Sequence, residues 1–151
     1  EVWSYELFEI YAGDIHAADK SAGYKCGKGD FMTDSEFYGG RKDYASHTVG
    51  GYYAARLAIT ERLMNRKRQA SILALRFITD EYTTPLGVWV CRESTRESMK
   101  NLVAKFGSQE LILDFVNNKI KSKFGLDVQK YYKLSKILFL KSSQKKLGEF
   151  V

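Results

Sequence analysis

The chain has 151 residues, of which 44% are hydrophobic and 14% aromatic, a composition that predicts a folded domain and excludes an intrinsically disordered chain. This length predicts one domain that can bury a proper core. The formal net charge is +6, and no apolar run approaches the roughly 20 residues that a membrane-spanning helix needs, so we expect no membrane contact.

Charge is distributed unevenly along the chain. Residues 1–48 contain five Lys or Arg and nine Asp or Glu, whereas residues 49–151 contain nineteen and nine. The basic C-terminal part is compatible with nucleic-acid contact, although lysines scattered over a solvated surface would give the same excess. Cys26 and Cys91 are far apart and follow no ligand spacing, so we expect reduced thiols and no metal site or cofactor in this chain.

The first predicted elements are a strand and a long loop. Residues 1–11 are aromatic-rich and roughly alternate in polarity, which predicts a strand. Residues 13–35 are polar and contain several glycines, which indicates a loop of a length that is often functional. Asp30, Asp34 and Glu36 could together bind a divalent ion, although acidic loop residues are usually only solvated.

A helix and two strands are predicted next. Residues 48–66 place their apolar side chains on one broad face of a helix. Residues 70–77 and 86–91 are apolar at consecutive positions, which predicts two buried strands, the first of them central and covered on both faces. Buried strands flanked by helices indicate a mixed α/β (α+β) fold with a central, mostly buried sheet.

The C-terminal third is predicted to be mainly helical. A capping box at residues 94–97 predicts the start of one helix, with a core stripe at Met99, Leu102, Val103 and Phe106. Ser108 is expected to cap the next helix and Gly125 to end it. That second helix is predicted to bury Leu111, Ile112, Phe115, Val116 and Ile120. Residues 127–140 are expected to start as a helix.

Several arginines occupy positions where an unpaired charge would be costly. Arg56 projects into the apolar face of its helix, so it should either pair with a carboxylate such as Glu93 or Asp34, or clamp an anion such as phosphate. Strand ends beside helix starts are where α/β folds bind ligands, although charges at strand ends also simply reach water. The candidate anion- or DNA-binding residues are Arg41, Arg56, Arg76, Arg92, Glu93 and Arg96.

The last residues carry the most specific motif. Gln144, Leu147, Phe150 and Val151 form the pattern Gln-x-x-Leu-x-x-Phe-Val, which resembles the box through which DNA replication and repair proteins dock on the sliding clamp PCNA. Residues three apart share one side of a short helical turn, so Leu147 and Phe150 would enter a groove together. A chance pair of apolar residues in a polar terminus is the alternative. We expect a single domain at residues 1–141 and a flexible clamp-binding tail at residues 142–151.

The chain also resembles the C-terminal half of the archaeal Nre DNA-repair proteins. This resemblance covers most of residues 1–106, and the family's clamp-binding tail matches residues 144–151. The matching segments are Trp3-Ser4-Tyr5-Glu6-Leu7, Gly40-Arg41, Tyr52-Tyr53-Ala54-Ala55-Arg56-Leu57-Ala58, Arg68-Gln69-Ala70 and Pro85-Leu86-Gly87-Val88-Trp89-Val90-Cys91-Arg92-Glu93, the last of them followed by Arg96.

The resemblance implies an archaeal, cytoplasmic and nucleoid-associated protein that works with PCNA in DNA repair, with DNA as a further partner. It also implies an N-terminal half with a cysteine-rich, zinc-binding element. The chain starts at Glu1 inside a strand-like run, so we expect that half to be missing.

Two function classes stay open. One is a clamp-recruited repair factor that binds DNA or a partner without catalysis, with a basic face that includes Lys119, Lys121 and Lys123. The other is a repair enzyme, a nuclease or a nucleotide-processing activity, with its site at the arginine cluster and Glu93.

Overall fold

The structure is a computed structural model that describes residues 2–13, 27–82, 86–100 and 103–143. Within these ranges the chain forms three strands and five helices. The strands are β1 (Val2–Tyr11), β2 (Phe31–Glu36) and β3 (Ala70–Ile78), and the helices are α1 (Val49–Arg66), α2 (Val88–Ser98), α3 (Gln109–Phe124), α4 (Gln129–Leu134) and α5 (Lys136–Ser143). The mixed α+β fold class predicted from the sequence is confirmed.

The three strands form one mixed sheet in the order β2-β1-β3. β2 pairs with β1 antiparallel, and β3 pairs with β1 parallel. A parallel neighbour requires a long crossover connection, and here α1 lies within that connection. β1 is therefore the central strand of the described sheet, and its buried stretch runs without a break from residue 4 to its end.

One face of the sheet packs against α1. Tyr5 and Leu7 of β1 lie against Tyr52, Ala55 and Ile59 of α1 in a buried apolar cluster. The Tyr5 hydroxyl donates a hydrogen bond of 3.3 Å to the carbonyl oxygen of Tyr52. Burial raises the pKa of Tyr5 well above its usual value, so the hydroxyl keeps the proton that it donates and its polar end stays satisfied inside the core.

The opposite face packs against the C-terminal helical region. Successive residues of a strand point to opposite faces, so Phe8 and Ile10 point away from α1. They form a second buried cluster with Leu126, Val128 and Tyr131, which lie around the start of α4. Because core residues line both faces of β1, the sheet is the middle layer of the fold.

The loop predicted at residues 13–35 is wrong in its last part, where Phe31–Glu36 form β2. Asp34 and Glu36 are the buried residues of this strand, at alternate positions where a strand normally buries apolar side chains. The strand predicted at residues 70–77 is confirmed as β3. Its predicted central position is wrong for the described sheet, in which β3 lies at an edge.

The strand predicted at residues 86–91 is wrong, because α2 begins at Val88. A short run of apolar residues fits a buried helix as well as a buried strand. Gly87, with a φ of 73°, supplies the turn into the helix that few other residues could adopt. The helix start predicted at residues 94–97 is also wrong, since these residues lie inside α2. Of the predicted core stripe, Leu102 lies outside the described residues and Val103 is exposed.

Helix α3 begins and ends where the sequence predicts. The Ser108 side chain accepts a hydrogen bond from the amide of Leu111, and Gly125, with a φ of 66°, ends the helix. The predicted burial is wrong for three of the five apolar residues: Leu111, Ile112 and Phe115 are exposed within the described structure. The apolar stripe therefore predicted the helix but not its burial. The buried residues that cover the sheet face opposite α1 lie mainly after α3, at Leu126, Val128 and Tyr131.

The segment predicted to start as a helix at residues 127–140 forms α4 and α5, which are separated at Ser135. Among the helices that the structure describes, none is long and apolar enough to cross a membrane.

Candidate functional site

Three buried carboxylates lie on the side of the sheet that faces α1. The strand register pairs Tyr5 with Glu36 and Leu7 with Asp34, and Tyr5 and Leu7 face α1, so both acidic side chains point to that side. Glu9 follows Leu7 on the same face of β1. A buried carboxylate is costly unless it is paired and hydrogen-bonded, and each of these three contacts an arginine.

Asp34 organises the start of α1. Its Oδ2 accepts hydrogen bonds from the Thr48 amide at 2.7 Å, the Thr48 hydroxyl at 2.9 Å and the His47 amide at 3.1 Å. Its Oδ1 lies 3.4 Å from the Arg41 guanidinium. Burial alone would raise the pKa of Asp34, but the hydrogen bonds from Thr48 and His47, with the nearby Arg41 charge, hold it below its usual range. Asp34 thus caps a helix whose own cap residue, Thr48, makes no side-chain cap bond.

Glu36 is the partner of Arg56. Arg56 Nε donates to Glu36 Oε1 at 2.8 Å, and the Tyr52 hydroxyl donates to Glu36 Oε2 at 3.0 Å. The Glu36 side chain is 6% exposed and that of Arg56 38%, so the guanidinium lies at the edge of the buried layer. Burial, followed by the charge of Glu36, raises the pKa of Tyr52. The structure therefore places Arg56 in an ion pair, with Glu36 in place of the expected Glu93 or Asp34.

Arg76 and Glu9 pair across neighbouring strands. They are register partners in the β1–β3 ladder, and Arg76 Nη1 donates to Glu9 Oε1. Burial would lower the pKa of Arg76, but the Glu9 carboxylate holds it above its usual range. Burial also raises the pKa of the nearby Cys91 thiol. Cys91 is therefore a protonated, buried side chain and lacks the depressed pKa of a reactive thiolate.

The other predicted residues lie together on α2. Arg96 donates to both carboxylate oxygens of Glu61 on α1, at 2.8 and 2.9 Å, and to Glu93 at 2.6 Å. Arg92 Nε donates to Glu93 at 3.1 Å. The hydrogen bond from Arg92 lowers the pKa of Glu93, and that from Arg96 lowers the pKa of Glu61. This cluster is half-exposed and joins α2 to α1.

The candidate anion- or DNA-binding residues therefore fall into separate groups. The structure brings Arg92, Glu93 and Arg96 together, whereas Arg41, Arg56 and Arg76 each contact a different buried carboxylate. Within the described residues, every guanidinium of the predicted set has an acidic partner. An incoming phosphate would have to compete with a carboxylate that is already in place at each of them.

Glu6, which anchors α5, was not predicted from the sequence. Glu6 is 1% exposed, and its carboxylate accepts hydrogen bonds from the Ser135 hydroxyl at 2.5 Å and from the amides of Lys136 and Ile137 at 3.1 and 3.3 Å. The first amides of a helix have no partner inside it and favour a negative charge. An acidic residue within a strand that is apolar on both sides was the signal available in the sequence.

The predicted clamp-binding residues Gln144, Leu147, Phe150 and Val151 lie outside the described residues. Helix α5 ends at Ser143, so the motif starts at the residue directly after the helix that Glu6 anchors.

A metal-binding role was considered for three acidic residues near β2. In the ranges that the structure describes, no group of three or more His, Cys, Asp or Glu side chains could hold a metal ion. Asp30 accepts a hydrogen bond from the Gly27 amide at 2.7 Å, while Asp34 and Glu36 contact arginines.

Comparison with known proteins gives one family and three relatives. The family model described as "Archaeal Nre, C-terminal" matches residues 36–150. The chain is 39% identical to the DNA repair protein NreA of Haloferax volcanii over 103 residues, which covers 68% of this chain and 23% of that protein. It is 40% identical to NreA of Archaeoglobus fulgidus over 90 residues, which covers 60% of this chain and 23% of that protein.

The DNA repair protein NreB of Archaeoglobus fulgidus matches almost the whole chain. It is 33% identical over 150 residues, which covers 99% of this chain and 35% of that protein. No solved structure matches the chain. The chain thus spans between about a quarter and about a third of the length of the curated relatives it matches.

Proposed function

This chain belongs to the archaeal Nre family, and on that premise we propose that it acts in DNA repair and is recruited to the sliding clamp PCNA through residues 144–151. The observation that carries the proposal is the motif of Gln144, Leu147, Phe150 and Val151. Two comparisons support it: the relatives are named DNA repair proteins, and the family match extends to residue 150, so it includes most of the motif.

The motif has the chemistry of a short docking segment. In a helical turn Leu147 and Phe150 would lie side by side, and complete burial of each is worth about 1.5–3 kcal/mol. Gln144, one turn earlier, offers an amide to a polar pocket, and Lys145 and Lys146 would face solvent or an acidic rim. Ordering the segment offsets part of this gain, so we expect micromolar affinity, or about −8 kcal/mol.

The anchoring of α5 supports recruitment through this segment. Glu6 bonds the first turn of α5 to the central strand, and α5 ends at Ser143. Eight further residues reach at most about 28 Å even when fully extended. A clamp bound to the motif would therefore keep the folded part of the chain at high local concentration near the DNA on which the clamp works.

Substitution of the motif tests the proposal. Phe150→Ala should weaken binding to archaeal PCNA at least about 30-fold, the change expected for a central anchor residue worth about 2 kcal/mol. Lys145→Ala, which removes a side chain expected to face solvent, is the matched control and should change affinity less than about threefold. Isothermal titration calorimetry gives both affinities, and the two variants should unfold at the temperature of the unaltered chain. Equal affinity of the Phe150→Ala chain would contradict the proposal.

The alternative of a repair enzyme with a site at the arginine cluster and Glu93 stays a prediction. The described geometry gives it less support, because Glu93 accepts hydrogen bonds from Arg92 and Arg96. A general base or metal ligand needs a carboxylate that is available to substrate or ion.

A further inference from the structure

A groove lined by aromatic rings and lysines lies beside the start of the motif. Two concave regions of about 430 and 350 Å³ share Phe37 and Leu140 in their linings and so form one continuous surface, here named the aromatic–lysine groove. Ser143, the last residue of α5, lines the larger region. We propose that this groove binds single-stranded DNA. The inference rests on the proposed role in DNA repair and deepens it by naming a form of DNA and its site.

Exposed aromatic rings supply the first part of the argument. In the groove Tyr38 is 71% exposed, Phe139 69%, Trp3 48% and Phe37 37%. The rings of Trp3 and Tyr38 have centroids 4.7 Å apart and are tilted by 39°, so two of the four already form a pair. Every base has a π-face that can stack on such rings. The bases of a duplex are stacked on each other, so the rings favour unpaired bases.

Lysines supply the second part. Lys141 lines the larger region, and Lys133 and Lys136 line the smaller one. None of the three makes an ion pair with another described residue, and no carboxylate is among the described side chains that line the groove. The groove therefore combines available positive charge with stacking surfaces, which is the pattern of single-strand binding sites.

The contrast with the arginines strengthens this assignment. Arg41, Arg56 and Arg76 each contact a buried carboxylate, so binding of a phosphate there would break a bond that holds the fold together. At the lysines of the groove, an incoming phosphate breaks no ion pair with a described carboxylate and can release counterions.

Charge also argues against the chain's own last residues as the occupant. Residues 144–151 contain Lys145 and Lys146 and a single acidic residue, Glu149. Such a segment would bring further positive charge to a groove that already carries Lys133, Lys136 and Lys141. A polyanion matches the groove better.

Binding of an oligonucleotide tests the inference directly. A fluorescently labelled oligothymidylate of about 12 nucleotides, within the usual range of single-strand site sizes, is titrated with the full chain and followed by fluorescence anisotropy. We expect saturable binding, and affinity at least about tenfold weaker for a duplex of the same length, because its bases cannot stack on the rings. Equal affinity for the duplex would overturn the inference.

Ring substitutions locate the site. Tyr38→Ala combined with Phe139→Ala should weaken binding of the oligothymidylate at least about tenfold. Trp89→Ala is the matched control, since Trp89 is 56% exposed but lies on α2 outside the groove, and it should change affinity less than about twofold. An equal loss of oligothymidylate affinity in the double variant and in the Trp89→Ala control would overturn the inference.

Lysine substitutions test the electrostatic part. Replacement of Lys133, Lys136 and Lys141 by Gln should reduce the slope of log K against log salt concentration by about 2, at roughly 0.7 per phosphate contact on a single strand. Replacement of Lys42, Lys67 and Lys105 by Gln removes the same charge from exposed positions outside the groove lining and is the control. An equal change of slope in both variants would mean that net charge, and not the groove, binds the DNA.

Trp3 provides a signal from inside the groove. The chain has two tryptophans, so Trp89→Phe leaves Trp3 as the single tryptophan. Saturation with the unlabelled oligothymidylate should quench Trp3 emission, because the base stacks on the indole ring. If deletion of residues 144–151 changes this emission while the oligothymidylate does not, the tail is the occupant and the inference is overturned.

These assays contain no clamp. Their failure would overturn the groove inference alone, whereas unchanged clamp affinity of the Phe150→Ala chain would contradict recruitment alone.

Discussion

At the scale of single residues, four buried carboxylates hold the secondary structure elements in place. Glu6 caps α5, Asp34 caps α1, Glu36 binds Arg56, and Glu9 pairs across the sheet with its register partner. A buried acidic group is stable only when its oxygens have partners. These four acidic residues therefore serve the fold, and among the described residues no cluster of His, Cys, Asp or Glu could hold a metal ion.

The first prediction at this scale concerns pH. The pKa of Asp34 is lowered in the folded chain, so its contribution to stability is present above the unfolded pKa of about 3.9 and is lost as pH falls through the folded value. Asp34→Asn should lower the free energy of unfolding near about pH 7 by roughly 1–3 kcal/mol, and the difference from the unaltered chain should narrow toward about pH 3. Urea denaturation of both chains at several pH values between about 3 and about 7 measures this difference in the free energy of unfolding. A difference that is constant with pH would contradict this role.

The second prediction concerns Arg56. Arg56→Met leaves the buried Glu36 carboxylate with the Tyr52 hydroxyl as its one side-chain partner among the described residues, and should lower the free energy of unfolding by about 1–3 kcal/mol. Combining it with Glu36→Gln should recover part of that loss, because the uncompensated charge is removed. Arg92→Met is the control: its pair with Glu93 is half-exposed, so the cost should stay below about 1 kcal/mol. Equal costs for the two arginine variants in chemical denaturation would contradict the assignment.

Part of the residue-scale picture was accessible from the sequence. An arginine on the apolar face of a helix must find a carboxylate or an anion, and Arg56 does contact a carboxylate. Its partner could not be predicted, because Glu36 enters the site only through β2, and alternating acidic residues concealed that strand. Glu6 and Glu9 were missed because they lie on opposite faces of β1, and only burial of both faces makes both of them interior residues.

At the scale of elements, the close approach of α1 to β1 depends on a missing side chain. Gly51 lies in the first turn of α1, where an added Cβ would come within 2.5 Å of Glu9 Oε1. Glu9 is 5% exposed and bonded to Arg76, so it cannot move aside without disturbing that pair. Helix propensity alone would make alanine the better residue by about 1 kcal/mol.

We therefore expect Gly51→Ala to destabilise the chain despite the gain in helix propensity. The overpacking and the disturbed ion pair should outweigh that gain, with a net loss of about 1–3 kcal/mol. Gly107→Ala is the matched control, since nothing lies within 4 Å of its added Cβ, and it should leave stability nearly unchanged. Thermal unfolding measures both variants. A Gly51→Ala chain as stable as the unaltered one would contradict this account of the α1–β1 contact.

The elements that were predicted well are those with local signals. α1 has a long apolar stripe, and α3 has Ser108 at its start and Gly125 at its end, both of which act through neighbouring backbone. α2 was mistaken for a strand because its first residues are apolar at every position, which suits both periodicities. The decision between them depends on packing against α1, including the pair of Arg96 with Glu61, and local sequence does not encode that contact.

At the scale of the whole molecule, the helical layer that leads into the motif carries more basic than acidic residues. Of the described acidic residues that precede α1, Glu6, Glu9, Asp34 and Glu36 are buried, whereas residues 109–143 carry seven lysines and three acidic residues. The C-terminal helices therefore carry an excess of positive charge, on the layer that leads into the motif. Exposed apolar residues of α3, such as Leu111 and Ile112, belong to the same layer, and nothing among the described residues covers them.

The central claim is that the motif after α5 recruits this chain to the sliding clamp. The most direct test is calorimetric titration into archaeal PCNA of the intact chain and of a chain that ends at Ser143, which keeps all described helices. The account predicts saturable binding of about micromolar affinity by the intact chain, no binding by the shortened one, and equal unfolding temperatures. Absence of binding by the intact chain, or equal binding by both, would contradict it.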